Sequence, residues 1–137
     1  KSLPELIKGL NDKDSAVRYW AAIGIGNTGE LSEKAKDACV KVLAEESSTV
    51  VRVATARALL RMKAEEERAL SELSKSLESP EEWSRLHAAI ALDEAEEQAR
   101  PALPSLQKAL TKQPNKYIVR VTNKAVNDLL KTNNTVK

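Results

Sequence analysis

One short frame recurs four times along this chain. In Ser15-Ala16-Val17-Arg18-Tyr19-Trp20-Ala21-Ala22 an apolar pair precedes an arginine, and an apolar residue and alanines follow it. Val50-Val51-Arg52-Val53 runs on to Ala56, and Trp83-Ser84-Arg85-Leu86 runs on to Ala88-Ala89. Ile118-Val119-Arg120-Val121 is the last copy. The arginines are 34, 33 and 35 residues apart, so four units of about 34 residues account for all 137. A period of this size means a stack of small structural units.

Each unit reads as two antiparallel helices. Leu3, Leu6 and Leu10, then Cys39 and Leu43, then Leu70, Leu73 and Leu77, then Leu103, Leu106 and Leu110 form stripes with steps of three and four. That is helical spacing, with the stripe turned to a core. Start signals agree. Ser2-Leu3-Pro4-Glu5 is a capping box with Pro4 in the first turn. Ser79-Pro80-Glu81-Glu82 reads the same way, with Pro80 at the first helical position, and Pro101 and Pro104 mark the first turn of a later helix. Asp14 and Asn115 suit N-caps. Gly26 and Gly29 are expected to end the second helix of the first unit. The tail from Thr132 is polar and expected to fray.

Short turns inside each unit (Asn11 to Asp14, Ala44 to Thr49, Glu78 to Ser79, Thr111 to Asn115) force antiparallel neighbours. A single helix pair cannot cover its own apolar face, so the units must stack. The expected fold is all-α: a right-handed α-solenoid of four two-helix repeats, roughly 1–31, 32–63, 64–97 and 98–131. The second helices are expected on the concave side, in one domain spanning 1–137. The chain starts at Lys1 with Leu3 already in helix register, which reads as a segment of a longer protein.

Composition narrows the function classes. Aromatics make up 3% with no Phe, which argues against a large aromatic-lined ligand pocket. Cys39 is the only cysteine, so no internal disulfide is possible. No apolar run approaches a membrane span. Net charge is +2, but unevenly spread: residues 62–100 hold eleven acids and five bases, residues 107–137 one acid and seven bases. Such runs are either solvated ends or docking surfaces for an acidic partner.

The leucine-rich first helix, the short turn and the Val-Arg frame followed by alanines resemble a HEAT repeat, of the short bacterial HEAT-like type also met in phycobilisome lyases. Leu3-Pro4-Glu5-Leu6, Asp14 to Ala22, and Ala99-Arg100-Pro101-Ala102-Leu103-Pro104-Ser105-Leu106 further resemble the HEAT-repeat extension at the C-terminus of some bacterial sulfatases. That resemblance implies an accessory domain of an exported enzyme, periplasmic or extracellular. The formylglycine motif of a sulfatase core is absent: Cys39-Val40-Lys41 lacks its Pro, and Ser2-Leu3-Pro4-Glu5-Leu6 lacks its Arg. No catalytic residue carries over.

The candidate residues divide into two sets. On a helical wheel Arg18, Arg52 and Arg85 fall on the core side. With Arg120 they are read as a structural ladder, since a buried guanidinium needs acceptors and its five donors can reach turn carbonyls or neighbouring caps. The other option is an anion-binding row. Trp83 aligns with Ala16, Val50 and Ile118 and is read as core, or as a cap over the turn. Trp20 aligns with Ala54, His87 and Thr122, which is not an apolar set. The candidate binding stripe on the concave face is therefore Trp20 as anchor with Arg57, Arg61, His87 and Glu94. Lys8, Lys41, Lys75 and Lys108 are read as a solvated convex face, with Glu5 and Glu72 spaced to pair with Lys8 and Lys75. Gly24-Ile25-Gly26-Asn27-Thr28-Gly29 spells a dinucleotide fingerprint without its strand context. One histidine offers no converging ligand set, so no metal or cofactor is expected.

These readings favour a non-enzymatic interaction module whose partner is a protein or another domain of the same chain. Two alternatives remain. HEAT-like DNA glycosylases use a concave basic face with tryptophan, though the acidic third unit argues against nucleic acid here. Open solenoid ends with opposite charge could instead drive self-association.

Overall fold

The structure, a computed structural model, describes residues 2–112 and 114–134. The described residues form helices only. In order they are α1 (Leu3–Gly9), α2 (Ser15–Thr28), α3 (Glu33–Glu45), α4 (Thr49–Arg61), α5 (Glu66–Ser76), α6 (Glu82–Ala95), a 3-10 stretch (Glu96–Ala102), α7 (Leu103–Lys112) and α8 (Lys116–Leu130). The odd-numbered helices are the leucine-striped first helices and the even-numbered ones carry the arginines. α2 packs on α4, α4 on α6 and α6 on α8, so the second helices form a continuous layer. This is an α-solenoid.

Local chemistry explains most helix boundaries. The Ser2 hydroxyl accepts the Glu5 N–H and donates to the Glu5 carboxylate at 3.0 Å. Asp14 caps α2 through the Ala16 N–H at 2.8 Å, and Asn115 caps α8 through the N–H groups of Tyr117 and Ile118. Pro104 sits in the first turn of α7.

Three boundaries differ from the sequence reading. Gly26 does not end α2, which runs on to Thr28 and exits through Gly29 at φ 64°. Gly26 instead lets α4 approach α2 closely: a Cβ there would lie 2.9 Å from Arg57 Nη1 and 3.4 Å from Ala58 Cα. Pro80 is not the first helical residue. α6 starts at Glu82, and the Ser79 hydroxyl accepts the Glu81 N–H at 3.2 Å in a turn that precedes the helix. Pro101 lies inside the 3-10 stretch, one turn ahead of α7.

The start of the tail is also held, not frayed. Asn127 accepts from the Thr132 hydroxyl and the Asn134 N–H, and Asn123 and Asn127 both donate to the Asn134 carbonyl. Residues 135–137 lie outside the described residues, as does Gln113 in the fourth unit's turn.

The core is built from small and branched residues. Ala22, Ala35, Ala56, Ala58, Ala69, Ala88 and Ala89 are fully buried, and Ile25, Leu59, Leu73, Leu92, Leu106 and Ile118 fill the spaces between them. Alanine at the contacts lets helix axes approach closely without aromatic bulk. Cys39 belongs to this core, and burial pushes its thiol up to about 12, so it is a small apolar residue here and not a nucleophile.

Candidate functional site

The arginine ladder has a repeated geometry. Arg18 Nη1 donates to the Asp12 carbonyl at 2.9 Å, Arg52 Nη1 to the Glu46 carbonyl at 2.7 Å and Arg85 Nη1 to the Ser79 carbonyl at 2.8 Å. Each acceptor lies six residues back, in the turn that joins the two helices of the same unit. The arginine thus closes its own turn by satisfying carbonyls that neither helix can.

The other side of the guanidinium reaches the next unit. Arg18 Nε and Nη2 hold both Glu46 oxygens at 2.7 and 3.0 Å, a bidentate pair. Arg52 Nε lies 3.3 Å from Glu72. Glu72 therefore turns inward to Arg52, instead of pairing with Lys75 on the helix surface as its spacing suggests. The Arg18 guanidinium, by its hydrogen bonds, holds the Glu46 carboxyl below its ordinary value. Arg85 has the turn bonds but no such partner, and its Nε is buried and unbonded. Arg120 departs furthest: it is exposed and makes no ion pair among the described residues.

The predicted stripe resolves into two clusters on the second-helix layer. Arg57, Arg61 and Glu94 form a polar tie. Arg57 Nε and Arg61 Nη1 share Glu94 Oε1 at 2.8 and 3.3 Å. Arg57 Nη2 donates to Asn27 at 3.2 Å and Arg61 Nε to the Gly26 carbonyl at 2.6 Å. Side chains of the second unit thereby reach both neighbours. These three residues are committed to holding α2, α4 and α6 together.

The second cluster is aromatic. Tyr19 and Trp20 on α2 meet edge to face at 5.0 Å, Tyr19 lies 6.0 Å from His87 on α6, and His87 lies 4.6 Å from Trp83. α4 lies between α2 and α6 in the layer, so Tyr19 and His87 meet above it. Ala54, buried and small, stands at the register of Trp20 and His87 on α4 and leaves room for that contact. Burial raises the Tyr19 hydroxyl above its ordinary value against the opposing pull of Arg57, and lowers the His87 imidazole. His87 is a neutral, half-buried packing residue near pH 7.

Trp20 is 65% exposed and Trp83 62% exposed. The reading of Trp83 as core or cap is thus corrected. In the second and third units the buried position is the one immediately before the arginine, Val51 and Ser84; in the first unit Val17 is exposed there, and in the fourth Ile118, two residues before Arg120, is buried instead. In the third unit that position holds a small serine, and its large neighbour faces solvent. Of the other residues aligned with Trp20, Ala54 and Thr122 are buried. The exposed stripe is therefore local to the first and third units. Among the described residues, no group of three or more His, Cys, Asp or Glu is placed to hold a metal ion. No helix among them is long and apolar enough to cross a membrane.

Comparison with known proteins adds the following. The family model described as HEAT repeats matches residues 1–59. No curated protein matches the chain. Among solved structures, the complex of CpcE and CpcF of phycocyanin lyase from Nostoc sp. PCC7120 contains a chain similar to this one, with a TM-score of 0.69 and 23% identity. The likeness covers 94% of this chain and 53% of that one, so the chain spans about half the length of that relative. Residues 1–59 carry the HEAT-repeat pattern, and the chain has the α-solenoid fold of HEAT-like proteins.

Proposed function

We propose that this chain is a non-enzymatic HEAT-like interaction module that engages a protein through the aromatic patch of Trp20, Tyr19, Trp83 and His87. The observation that carries this reading is the exposure of two tryptophans, 65% and 62%, in one contiguous patch. A monomeric solenoid gains nothing by leaving two indoles in water, and exposed aromatic clusters mark contact surfaces. The similar solved chain comes from a complex of two proteins, which is in keeping with a protein partner. Arg57, Arg61 and Glu94 act as the scaffold beneath the patch.

At a finer level, the chain serves as one continuous accessory unit of a larger bacterial enzyme, of the exported sulfatase class that the resembling segments suggest. In that setting the patch faces another domain of the same polypeptide.

The test places a photo-cross-linking residue at Trp20, at Trp83 and, for comparison, at Lys41 on the opposite surface, in the full-length protein that contains this segment. The first two positions are expected to cross-link to one defined surface and Lys41 to none. Trp20→Ala and Trp83→Ala should abolish the cross-link at the other position. Each should leave stability within about 0.5 kcal/mol, as exposed substitutions do. Equal cross-linking from Lys41 overturns the assignment, and so does hydrolysis of a sulfate ester by this segment alone. Duplex DNA binding that collapses steeply as salt rises would point to the nucleic-acid alternative instead.

A further inference from the structure

The fourth unit departs from the other three in register. In α2, α4 and α6 the N–H groups of Arg18, Arg52 and Arg85 donate to the cap carbonyls of Asp14, Ser48 and Glu81. In α8 the N–H that reaches the Asn115 carbonyl belongs to Val119. Counted from its cap, α8 thus holds a valine at the ladder position. Arg120 stands one residue on, about 100° further round the helix. Burial agrees with this count, since Ile118 and Thr122 are buried as Ser84 and Ala88 are.

That count shows what α8 turns away from α6. In the first three units one stripe of the second helix faces onward, to the unit that follows. It holds Tyr19, Ala22 and Gly26 on α2, Val53, Ala56 and Leu60 on α4, and Leu86, Ala89 and Asp93 on α6. Steps of three and four keep each set on one side. Ala22, Ala56 and Ala89 are fully buried there. Gly26 lies against Ala58 of α4, and Asp93 pairs with Lys124 of α8 at 3.0 Å. The same three positions on α8 are Arg120, Asn123 and Asn127. A stripe that is mostly small or apolar has become an exposed guanidinium and two half-buried amides.

The amides are occupied by the chain itself. Asn123 and Asn127 donate to the Asn134 carbonyl at 3.1 and 2.9 Å. Asn127 Oδ1 accepts from the Thr132 hydroxyl at 2.8 Å and from the Asn134 N–H at 3.2 Å. Residues 132–134 therefore bind the stripe of α8 that the other second helices offer to a following unit.

We infer that the fourth unit is a capping unit, its outer face closed to stacking by a second copy of the chain. A copy that stacked here would strip the tail from both amides and bury Arg120, which makes no ion pair among the described residues. Buried polar groups left without partners oppose such a contact. A polar terminal face is also what keeps a stack of repeats soluble. The inference does not depend on the aromatic patch, which stands on α2 and α6.

The experiment restores the stripe. Arg120→Leu, Asn123→Ala and Asn127→Leu together give α8 the residue types of Leu86, Ala89 and Leu60. Sedimentation is followed over a range of concentrations, with circular dichroism to confirm unchanged helicity. The triple variant is expected to at least double its weight-average mass relative to wild type at the highest loading. A milder change tests the strap by itself. Asn127→Ala should speed hydrogen exchange at the Asn134 amide about tenfold and leave the amides of α4 unchanged.

A folded triple variant that sediments like wild type would overturn the inference. Equal association of a chain with the same apolar additions on the convex side, Lys8→Leu, Lys41→Ala and Lys75→Leu, would reduce the effect to general stickiness and do the same. Unchanged exchange at Asn134 in Asn127→Ala would show that the tail does not close this face. Wild-type self-association abolished by Arg120→Glu would show the face open, and either result refutes the cap.

Discussion

At the scale of single residues, the arginines were legible in the sequence and their partners were not. One residue type at a fixed register reveals a ladder, because the turn carbonyls it closes lie at a fixed offset. The carboxylates come from two different positions in the following unit, Glu46 in a turn and Glu72 on a helix, so no period marks them. Trp83 was hidden for a related reason: its aligned neighbours are apolar, but its exposure follows from Ser84 taking the buried place beside it. Glu46 makes the ladder testable by pH. Its carboxyl ionises more readily in the fold than its ordinary value of 4.5, chiefly through the hydrogen bonds from Arg18. A depressed folded value means that the unfolded chain binds the proton first. The stabilisation is therefore complete above about pH 5 and fades as pH falls through the lower, folded value. Urea midpoints at about pH 7, 5 and 3 should show Glu46→Gln weaker than wild type at the upper two, with the gap closing at the lowest. A gap that persists undiminished at the acid end would mean that Glu46 acts through packing alone.

At the scale of elements, the leucine stripes and capping residues located the helices, while the exits from the second helices escaped notice. Gly29 announced one exit. The structure shows that Lys63, Glu96 and Lys131 occupy the same register, 34, 33 and 35 residues apart like the arginines, and all have positive φ, at 56°, 53° and 56°. The backbone must reverse there to start the next unit, and only the first repeat uses the residue that does so without a Cβ penalty. Composition cannot expose a turn made by lysine. The cost gives a prediction. Lys63→Gly and Lys131→Gly should each raise the unfolding free energy by about 0.5–1 kcal/mol, the left-handed strain relieved less the extra entropy of glycine in the unfolded chain. Gly29→Ala should lower it by about 1 kcal/mol for the opposite reason. Denaturant melts decide this, and losses in both lysine variants would show that their stems contribute more packing than the turn costs. Gly26 teaches the converse lesson. A glycine near a helix end looks like a terminator, but here it marks a close helix crossing, a property of the neighbour α4 that local sequence does not carry.

At the scale of the whole molecule, the period dictated a linear stack, and a linear stack has ends that open separately from its middle. α4 packs on α2, α3, α5 and α6, and Val51, Val53, Ala54, Ala56, Ala58, Leu59 and Leu60 are buried along it. α8 packs on α6, α7 and the 3-10 stretch, and leaves Tyr117 and Leu130 exposed. The opposite charges of the third and fourth units, which in the sequence suggested either a solvated end or a docking face, partly meet each other instead. Lys108 pairs with Glu78 at 2.6 Å and Lys124 with Asp93 at 3.0 Å, across the seam whose arginine, Arg85, pairs only with Glu82 of its own helix at 3.9 Å and with no carboxylate of the next unit. Their lysines are exposed, so these pairs are weak and screened by salt. The Arg18–Glu46 and Arg52–Glu72 pairs are more sheltered. Hydrogen exchange should therefore show α7 and α8 opening at lower free energy than α4. Raising sodium chloride from about 0.05 to about 0.5 M should speed exchange in α7 and α8 while leaving α4 nearly unchanged. Uniform protection across all four units, with one common response to salt, would show instead that the stack unfolds only as a whole and that the third seam is as firm as the others.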